Sequence, residues 1–144
     1  MARIGPVVLN AFVAFTAIYG AILVVPTIPL EWLKYGPFTD YTVPALALGI
    51  LVGGSASLAA LLLLVRSPLG AQATIVAGVM IIGFELVEIG VVGFTLIEYD
   101  ASQFQAWLQV IYLALGTLQV VLGYRVWRRL EPRTRPAGLA HQVR

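Results

Sequence analysis

Four long runs of apolar residues divide this chain, and they constrain its fold more than any other feature of the sequence. An α-helix rises about 1.5 Å per residue, so about 20 apolar residues cross a bilayer core of about 30 Å. The runs lack the short alternation of apolar and polar residues that is typical of membrane strands. We therefore predict an all-α membrane protein whose four helices span residues 4–25, 43–65, 71–97 and 104–127.

The composition agrees with a membrane protein and excludes several kinds of site. Of the 144 residues, 60% are hydrophobic and 11% are charged, whereas a soluble domain carries roughly 25% charged residues. The absence of cysteine excludes disulfides, thiolate metal ligands and cysteine nucleophiles. The single histidine, His141, lies in the polar tail. We therefore predict no cofactor, no metal site and no catalytic residue.

The first apolar run begins with Met-Ala-Arg, as a secretory signal peptide can. The run is longer than the apolar core of a signal peptide, and no A-x-A cleavage site follows it. We expect it to remain in the protein as the first membrane helix.

The distribution of basic residues predicts the orientation of the helices. With four spans, both termini lie on one side of the membrane, and that side holds eight basic residues against Lys34 alone on the other. Because cytoplasmic segments carry an excess of Lys and Arg, we predict a multi-pass protein of the inner (plasma) membrane with both termini in the cytoplasm. The eight are Arg3, Arg66, Arg125, Arg128, Arg129, Arg133, Arg135 and Arg144.

The chain is predicted to form one transmembrane domain, residues 1–127, followed by a basic cytoplasmic tail, residues 128–144. The tail either anchors the topology or attracts anionic lipid headgroups, at about 1 kcal/mol per charge near the surface. So short a tail on a membrane protein is not expected to bind nucleic acid.

The longest connection, residues 26–42, contains three prolines and four aromatic residues. Prolines keep this segment from forming a helix, and Trp and Tyr prefer the headgroup level of the bilayer. We predict a short extracellular cap on the membrane surface, either a packed loop or a lid over a ligand. The aromatic residues are Trp32, Tyr35, Phe38 and Tyr41.

Small residues lie on stripes along the first three predicted helices. Lipid tails are as apolar as leucine, so close backbone approach and interhelical hydrogen bonds must hold the helices together. We therefore predict an antiparallel four-helix bundle, in which the seams on the second and third helices supply the interface of a homodimer or larger assembly. The stripes are Asn10, Ala14, Ala17 and Ala21, then Gly49, Gly53, Ala56 and Ala60, then Gly83 and Gly90.

The fourth helix carries a polar stripe instead. Polar groups are costly against lipid, so this face must contact protein or water. The stripe either forms hydrogen bonds between helices or lines a polar cavity. Its members fall within about 80° of one another at 100° per residue, and they are Gln105, Gln109, Tyr112, Gly116, Gln119 and Gly123.

Two glutamates, Glu85 and Glu88, lie near the middle of the third span and share one helix face. A charged carboxylate at this depth costs at least about 2.5–3.5 kcal/mol. Every Lys and Arg lies at or beyond a membrane boundary, so none is placed to pair with them in the membrane. The two carboxyl groups are therefore either neutral and hydrogen-bonded, to Gln119, Thr117, Ser55 or Asn10, or they bind a proton or a cation. A di-iron site is not expected, because such bundles need histidines beside the glutamates.

Residues 36–54, GPFTDYTVPALALGILVGG, resemble a segment that recurs in a family of uncharacterised small bacterial four-span membrane proteins. The resemblance rests on Pro37-Phe38-Thr39-Asp40-Tyr41, followed by Pro44 and an apolar helix. It implies a four-span membrane fold. It implies no activity and no functional residues, because the family has no established activity.

We predict a proton- or cation-linked binding or transport protein in the lipid bilayer. Glu85 and Glu88 would bind a proton or a cationic small molecule, and Gln109, Tyr112 and Gln119 would line the site. The alternative is a non-catalytic accessory or assembly subunit of a larger membrane complex, whose glutamates meet basic residues of a partner. An enzyme is not expected, because no nucleophile–base pair is apparent.

Overall fold

The computed structural model describes residues 4–27, 30, 37–92 and 102–130. Within these ranges the chain is helical apart from short connections, and no strand occurs. Every one of the four helices contains a stretch long and apolar enough to cross a membrane, so the prediction of an all-α membrane protein is confirmed for these residues. The helices are α1 (Ile4–Thr27), α2 (Thr42–Leu64), α3 (Gly70–Val92) and α4 (Ser102–Leu130).

The helix boundaries follow the hydropathy at most ends, and the difference at the end of α4 has a local cause. This helix continues past the predicted boundary at residue 127 to Leu130. Arg128 donates a hydrogen bond to the hydroxyl of Tyr124 (3.2 Å), and its guanidinium lies 5.8 Å from the centre of that ring. Basic residues near a helix C-terminus also interact favourably with the helix dipole. The last turn is therefore helical although it is no longer apolar.

Parts of α1 and α2 are wound as π-helix, over Gly20–Val24 and Ala47–Gly54. In α1 the Val25 N–H donates to the carbonyl of Gly20, five residues earlier. The two wide segments lie against each other, with Gly20 beside Leu48 and Gly49 beside Ala21. The small residues at this contact allow the widened helices to approach.

The interior of the bundle consists of small and polar side chains, while the large apolar side chains are exposed. This is the reverse of a soluble core, and it is what helix association in lipid requires. A cluster of buried apolar residues joins the helices, and exposed leucine, isoleucine and phenylalanine side chains cover the outside. The cluster consists of Val13, Ala14, Ala17, Val52, Ala56, Ala59, Ala77 and Ile81.

The predicted stripes on the first two helices meet each other. Asn10, Ala14 and Ala17 of α1 and Ala56 and Ala60 of α2 are buried. A Cβ atom built on Gly53 would lie 2.7 Å from Cγ1 of Ile18, so this glycine has the close packing that its position in the stripe predicts. The α2 seam is packed against α1 of the same chain, and the predicted homodimer or larger assembly stays a prediction.

The closest helix–helix contact joins α3 to α4 through glycines. A Cβ on Gly78 would lie 2.6 Å from the carbonyl oxygen of Gly116, and a Cβ on Gly116 would lie 2.5 Å from Cγ2 of Ile81. A Cβ on Gly123 would lie 2.9 Å from the carbonyl oxygen of Ala71. Only glycine fits these positions without a shift of the backbone.

Gly83 and Gly90, the predicted seam on the third helix, are exposed, and among the described residues nothing lies within 4 Å of a Cβ built on either. Gly78, which contacts α4, lies about 140° around the helix from Gly83 at 100° per residue. Helix α3 therefore packs against α4 through a different face from the one on which Gly83 and Gly90 lie.

The turn after α2 places a non-glycine residue in the left-handed region, with φ of 57° at Arg66. The Arg66 N–H donates to Leu63 O (3.2 Å) and the Ser67 N–H to Leu62 O (2.8 Å). These two bonds form a Schellman motif, whose C′ position is usually glycine. The hydroxyl of Ser67 then accepts from the Leu69 N–H (3.3 Å), which leads into α3.

The segment before α2 is held by Asp40, whose Oδ1 accepts a hydrogen bond from the backbone N–H of Thr42 (2.8 Å). That bond lowers the pKa of the Asp40 carboxyl below its usual range. Trp32, Tyr35, the acidic residues Glu98 and Asp100, the third span beyond residue 92 and the tail beyond residue 130 lie outside the described residues.

Candidate functional site

Glu85 is buried inside the bundle, with 4% of its surface exposed. It lies one turn beyond Ile81 on α3, and Ile81 is fully buried against Gly116 of α4. The Oε2 atom of Glu85 is buried and has no hydrogen-bond partner among the described residues. The predicted mid-span carboxyl is therefore enclosed by the protein's own helices.

Glu88 lies one turn further along α3 and is half-buried. Its Oε1 accepts a hydrogen bond from Nε2 of Gln109 on α4, at 3.3 Å. Gln109 is 1% exposed, and its own Oε1 has no partner in the described part of the chain. The structure thus brings together Glu85, Glu88 and Gln109, as the sequence predicts.

Tyr112 lies at the same level as Glu85. Gln109 bonds to Glu88, and Gly116 meets Ile81. Tyr112 lies between Gln109 and Gly116 along α4. Glu85 likewise lies between Glu88 and Ile81 along α3. The ring is half-buried and packs against the apolar cluster of the interior. Its position along α4 is therefore close in depth to the acidic pair, and its ring packs on the apolar interior.

Gln119 belongs to a different polar group. Its Nε2 donates to Oδ1 of Asn10 on α1 (2.9 Å), and Asn10 Nδ2 donates to Oγ1 of Thr74 on α3 (3.3 Å). Thr74 lies eleven residues before Glu85, about 16 Å along the helix. The expectation that Gln119 lines the same site as the glutamates is not met by this arrangement. The side chain of Gln105, on the same stripe, lies outside the described part.

The neutral hydrogen-bonded arrangement considered from the sequence does not occur with the partners proposed for it. The hydroxyl of Thr117 donates to Leu113 O in its own helix, and that of Ser55 donates to Val52 O. Gln119 and Asn10 bond to each other. These four side chains are therefore engaged elsewhere.

Two residues near the polar groups were not predicted as site residues. Thr74 joins Asn10 and Gln119, and its fully buried hydroxyl donates to Gly70 O at 2.8 Å. Tyr41 lies just before α2, and burial together with the nearby carboxylate of Glu88 raises the pKa of its phenol. No sequence spacing links Tyr41 to Glu88, because the two are brought together by the packing of α2 beside α3.

The buried polar atoms that lack a hydrogen bond are all oxygen atoms that can accept one. Among the described residues, the buried side-chain nitrogen and oxygen atoms without a hydrogen bond are Glu85 Oε2, Gln109 Oε1 and Gln119 Oε1. The amide oxygens can only accept hydrogen bonds, and a carboxylate oxygen also accepts them. An unsatisfied buried acceptor costs about 1–3 kcal/mol. The interior therefore lacks donors rather than acceptors.

Basic residues are scarce along the four spans. From residue 4 to residue 124 the only basic residues are Lys34 and Arg66, at the connections before and after α2. Within the ranges described, no three His, Cys, Asp or Glu side chains group as metal ligands would. What the site can do is accept a hydrogen-bond donor, of which a proton carried by water is the simplest.

No protein-family model matches the chain, and neither the search of curated proteins nor that of solved structures found a match. The functional interpretation therefore depends on the geometry above. The resemblance of residues 36–54 to the small bacterial family stays a prediction.

Proposed function

We propose that this membrane protein binds and exchanges a proton or a small cation at Glu85 and Glu88, as a binding or transport protein without catalytic activity. The observation that carries the proposal is the enclosed Glu85, whose buried Oε2 has no hydrogen-bond partner among the described residues. The buried Oε1 of Gln109, which bonds to Glu88 through its nitrogen, has none there either. A buried group with unmet acceptors favours a donor or a positive charge. An anion would find no donor there among these unpartnered atoms.

We further propose an antiparallel bundle in the inner (plasma) membrane, with an extracellular cap over residues 26–42 and both termini in the cytoplasm. Contacts between α3 and α4 support the antiparallel order, because Gly123 near the end of α4 meets Ala71 near the start of α3, while Gln109 meets Glu88. The excess of basic residues on the side of the termini supports the orientation.

The second candidate is an accessory subunit of a larger membrane complex. The observation that favours it is the exposed glycine pair Gly83 and Gly90, against which no described part of the chain packs within 4 Å of a built Cβ. A partner helix, or a second copy in a homodimer, could approach closely there. The burial of Glu85 inside its own chain argues against a partner's basic side chain reaching it.

Infrared titration of the purified protein in lipid tests the proposal. A protonated carboxyl has a C=O stretching band that a carboxylate lacks. We expect the Glu85→Gln variant to lose a band that titrates with pH in the parent, because glutamine has the same shape without the exchangeable proton. Glu88→Gln should shift the titration of the remaining band, since the two carboxyls lie within electrostatic range of each other.

Thr117→Val is the matched control, because Thr117 is exposed in α4 and bonds only to its own helix. Its spectrum should titrate as the parent does. A parent in which no band depends on Glu85 at any pH would contradict the proposal. A substitution of Gly83 by a larger residue could remove a protein that co-purifies with the parent while leaving the titration unchanged. That result would favour the accessory role.

A further inference from the structure

Asn10, Thr74 and Gln119 form a polar group on the opposite side of Ile81 from the glutamates. All three side chains are fully buried, and they come from three different helices. Asn10 Nδ2 also donates to the carbonyl of Pro6 (2.8 Å), and Thr74 donates to that of Gly70 (2.8 Å). Both carbonyls belong to the first turns of their helices, so this group lies near the end of the bundle where α1 and α3 begin.

The hydrogen bonds of this group have only one consistent direction. A backbone carbonyl can only accept, so the Asn10 atom facing Pro6 must be the NH₂ nitrogen, and its oxygen faces Gln119. Gln119 must then present its nitrogen to Asn10, which leaves Gln119 Oε1 as a buried acceptor without a donor. Flipping either amide would place two acceptors or two donors together. The positions of Pro6, Asn10 and Gln119 therefore leave Gln119 Oε1 without a donor.

The two polar groups are separated by a closed contact. Ile81 is fully buried between them, beside the point where Gly78 and Gly116 meet. A single Cβ on Gly78 would already lie 2.6 Å from the Gly116 carbonyl oxygen. An organic amine could not pass this point without separating α3 from α4. A proton carried by water needs far less room.

We propose that the cation exchanged by this protein is a proton, and that Asn10, Thr74 and Gln119 form a second station on its path, where a water molecule donates to Gln119 Oε1. Ile81 is the barrier between this station and Glu85. The inference rests on the proposed function at Glu85 and Glu88. In the step at Glu85, a hydronium ion delivers a proton to the carboxylate oxygen and leaves as water, and the carboxyl then returns the proton to another water, so no other reactant is needed.

Proton flux into proteoliposomes tests the second station. The liposomes carry a pH-sensitive dye, and a potassium diffusion potential drives the flux. Gln119→Met keeps the side chain's length but removes the acceptor, so we expect the flux to fall by about tenfold or more. Gln119→Glu in its neutral form donates to Asn10 and keeps an acceptor oxygen, so it should rescue the flux that Gln119→Met loses. Thr117→Val, two residues away and exposed, should match the parent.

Ile81→Ser tests the barrier, since a small polar side chain there would let water join the two groups. We expect its flux to exceed that of the parent. Thermal unfolding and size-exclusion profiles show which variants are folded, and the Gln119→Glu variant keeps the test valid if Gln119→Met is unfolded.

The outcomes separate this inference from the proposed function. Flux at the parental rate in folded Gln119→Met would overturn the second station. A parent without proton flux, but with a band that titrates at Glu85, would overturn the proton path while the acidic site stands. A parent that also lacks the band would overturn both. Uptake of methylammonium in place of protons would identify an organic cation and overturn the inference.

Discussion

Single residues in this protein have conformations and partners that composition alone would not suggest. Arg66 occupies a left-handed backbone position, where residues with a Cβ atom are disfavoured by roughly 1–2 kcal/mol. It is also one of the eight basic residues on the side of the termini. The chain therefore has a basic residue at a helix C-terminus, where a glycine would fit the backbone better.

The Arg66→Gly variant should be more stable than Arg66→Ala by about 1 kcal/mol, because both remove the charge and only glycine removes the Cβ. Denaturant unfolding in detergent micelles, followed by tryptophan fluorescence, measures the difference. Arg66→Ala serves as the control for the lost charge. Equal stability of the two variants would mean that the left-handed position costs nothing.

At the scale of the helices, two kinds of glycine occur on α3. Gly78 contacts the backbone of Gly116, so the α3–α4 seam depends on the absence of side chains. Gly83 has open space around its Cα atom. In lipid, where leucine burial does not drive association, the close seam is a main source of helix–helix stability.

Gly116→Ala should destabilise the protein by about 1–3 kcal/mol, because its Cβ would meet Ile81 and the carbonyl of Gly78. Gly83→Ala on the exposed face should be neutral or stabilising by up to about 1 kcal/mol, since alanine favours the helix. Thermal unfolding of both variants in the same detergent provides the comparison. A Gly116→Ala variant as stable as Gly83→Ala would contradict the close seam.

At the scale of the whole molecule, the orientation in the membrane decides which polar group faces the cytoplasm. The polar group of Asn10, Thr74 and Gln119 lies toward the end where α1 and α3 begin, and the acidic pair lies toward the other end. The proposed orientation therefore places Glu88 and Tyr41 toward the outside. The barrier at Ile81 would separate an outer acidic site from an inner amide site.

Single-cysteine labelling measures the orientation directly, because the chain contains no cysteine of its own. We expect Asp40→Cys to react with a membrane-impermeant maleimide added to intact cells, since Asp40 is exposed before α2. Ser67→Cys, in the connection after α2, should react only after the membrane is permeabilised. The reverse pattern would invert the topology and place the acidic site toward the cytoplasm.

Much of this protein can be predicted from its sequence because the relevant signals are local. Hydropathy over about 20 residues determines where a span lies, and the 100° step of the helix places Glu85 and Glu88 on one face. No basic residue occurs from residue 67 to residue 124, so the third span and nearly all of the fourth carry no positive charge. These properties do not depend on how the helices pack.

Only the tertiary structure decides which faces meet. Gly78 rather than Gly83 contacts α4, and Gln119 bonds to Asn10 instead of reaching the glutamates. Both outcomes depend on the rotation and axial shift of one helix against another, which are set by close contacts between residues far apart in the chain. A stripe on a single helix shows that a partner is needed, but the choice of partner is a property of the whole bundle.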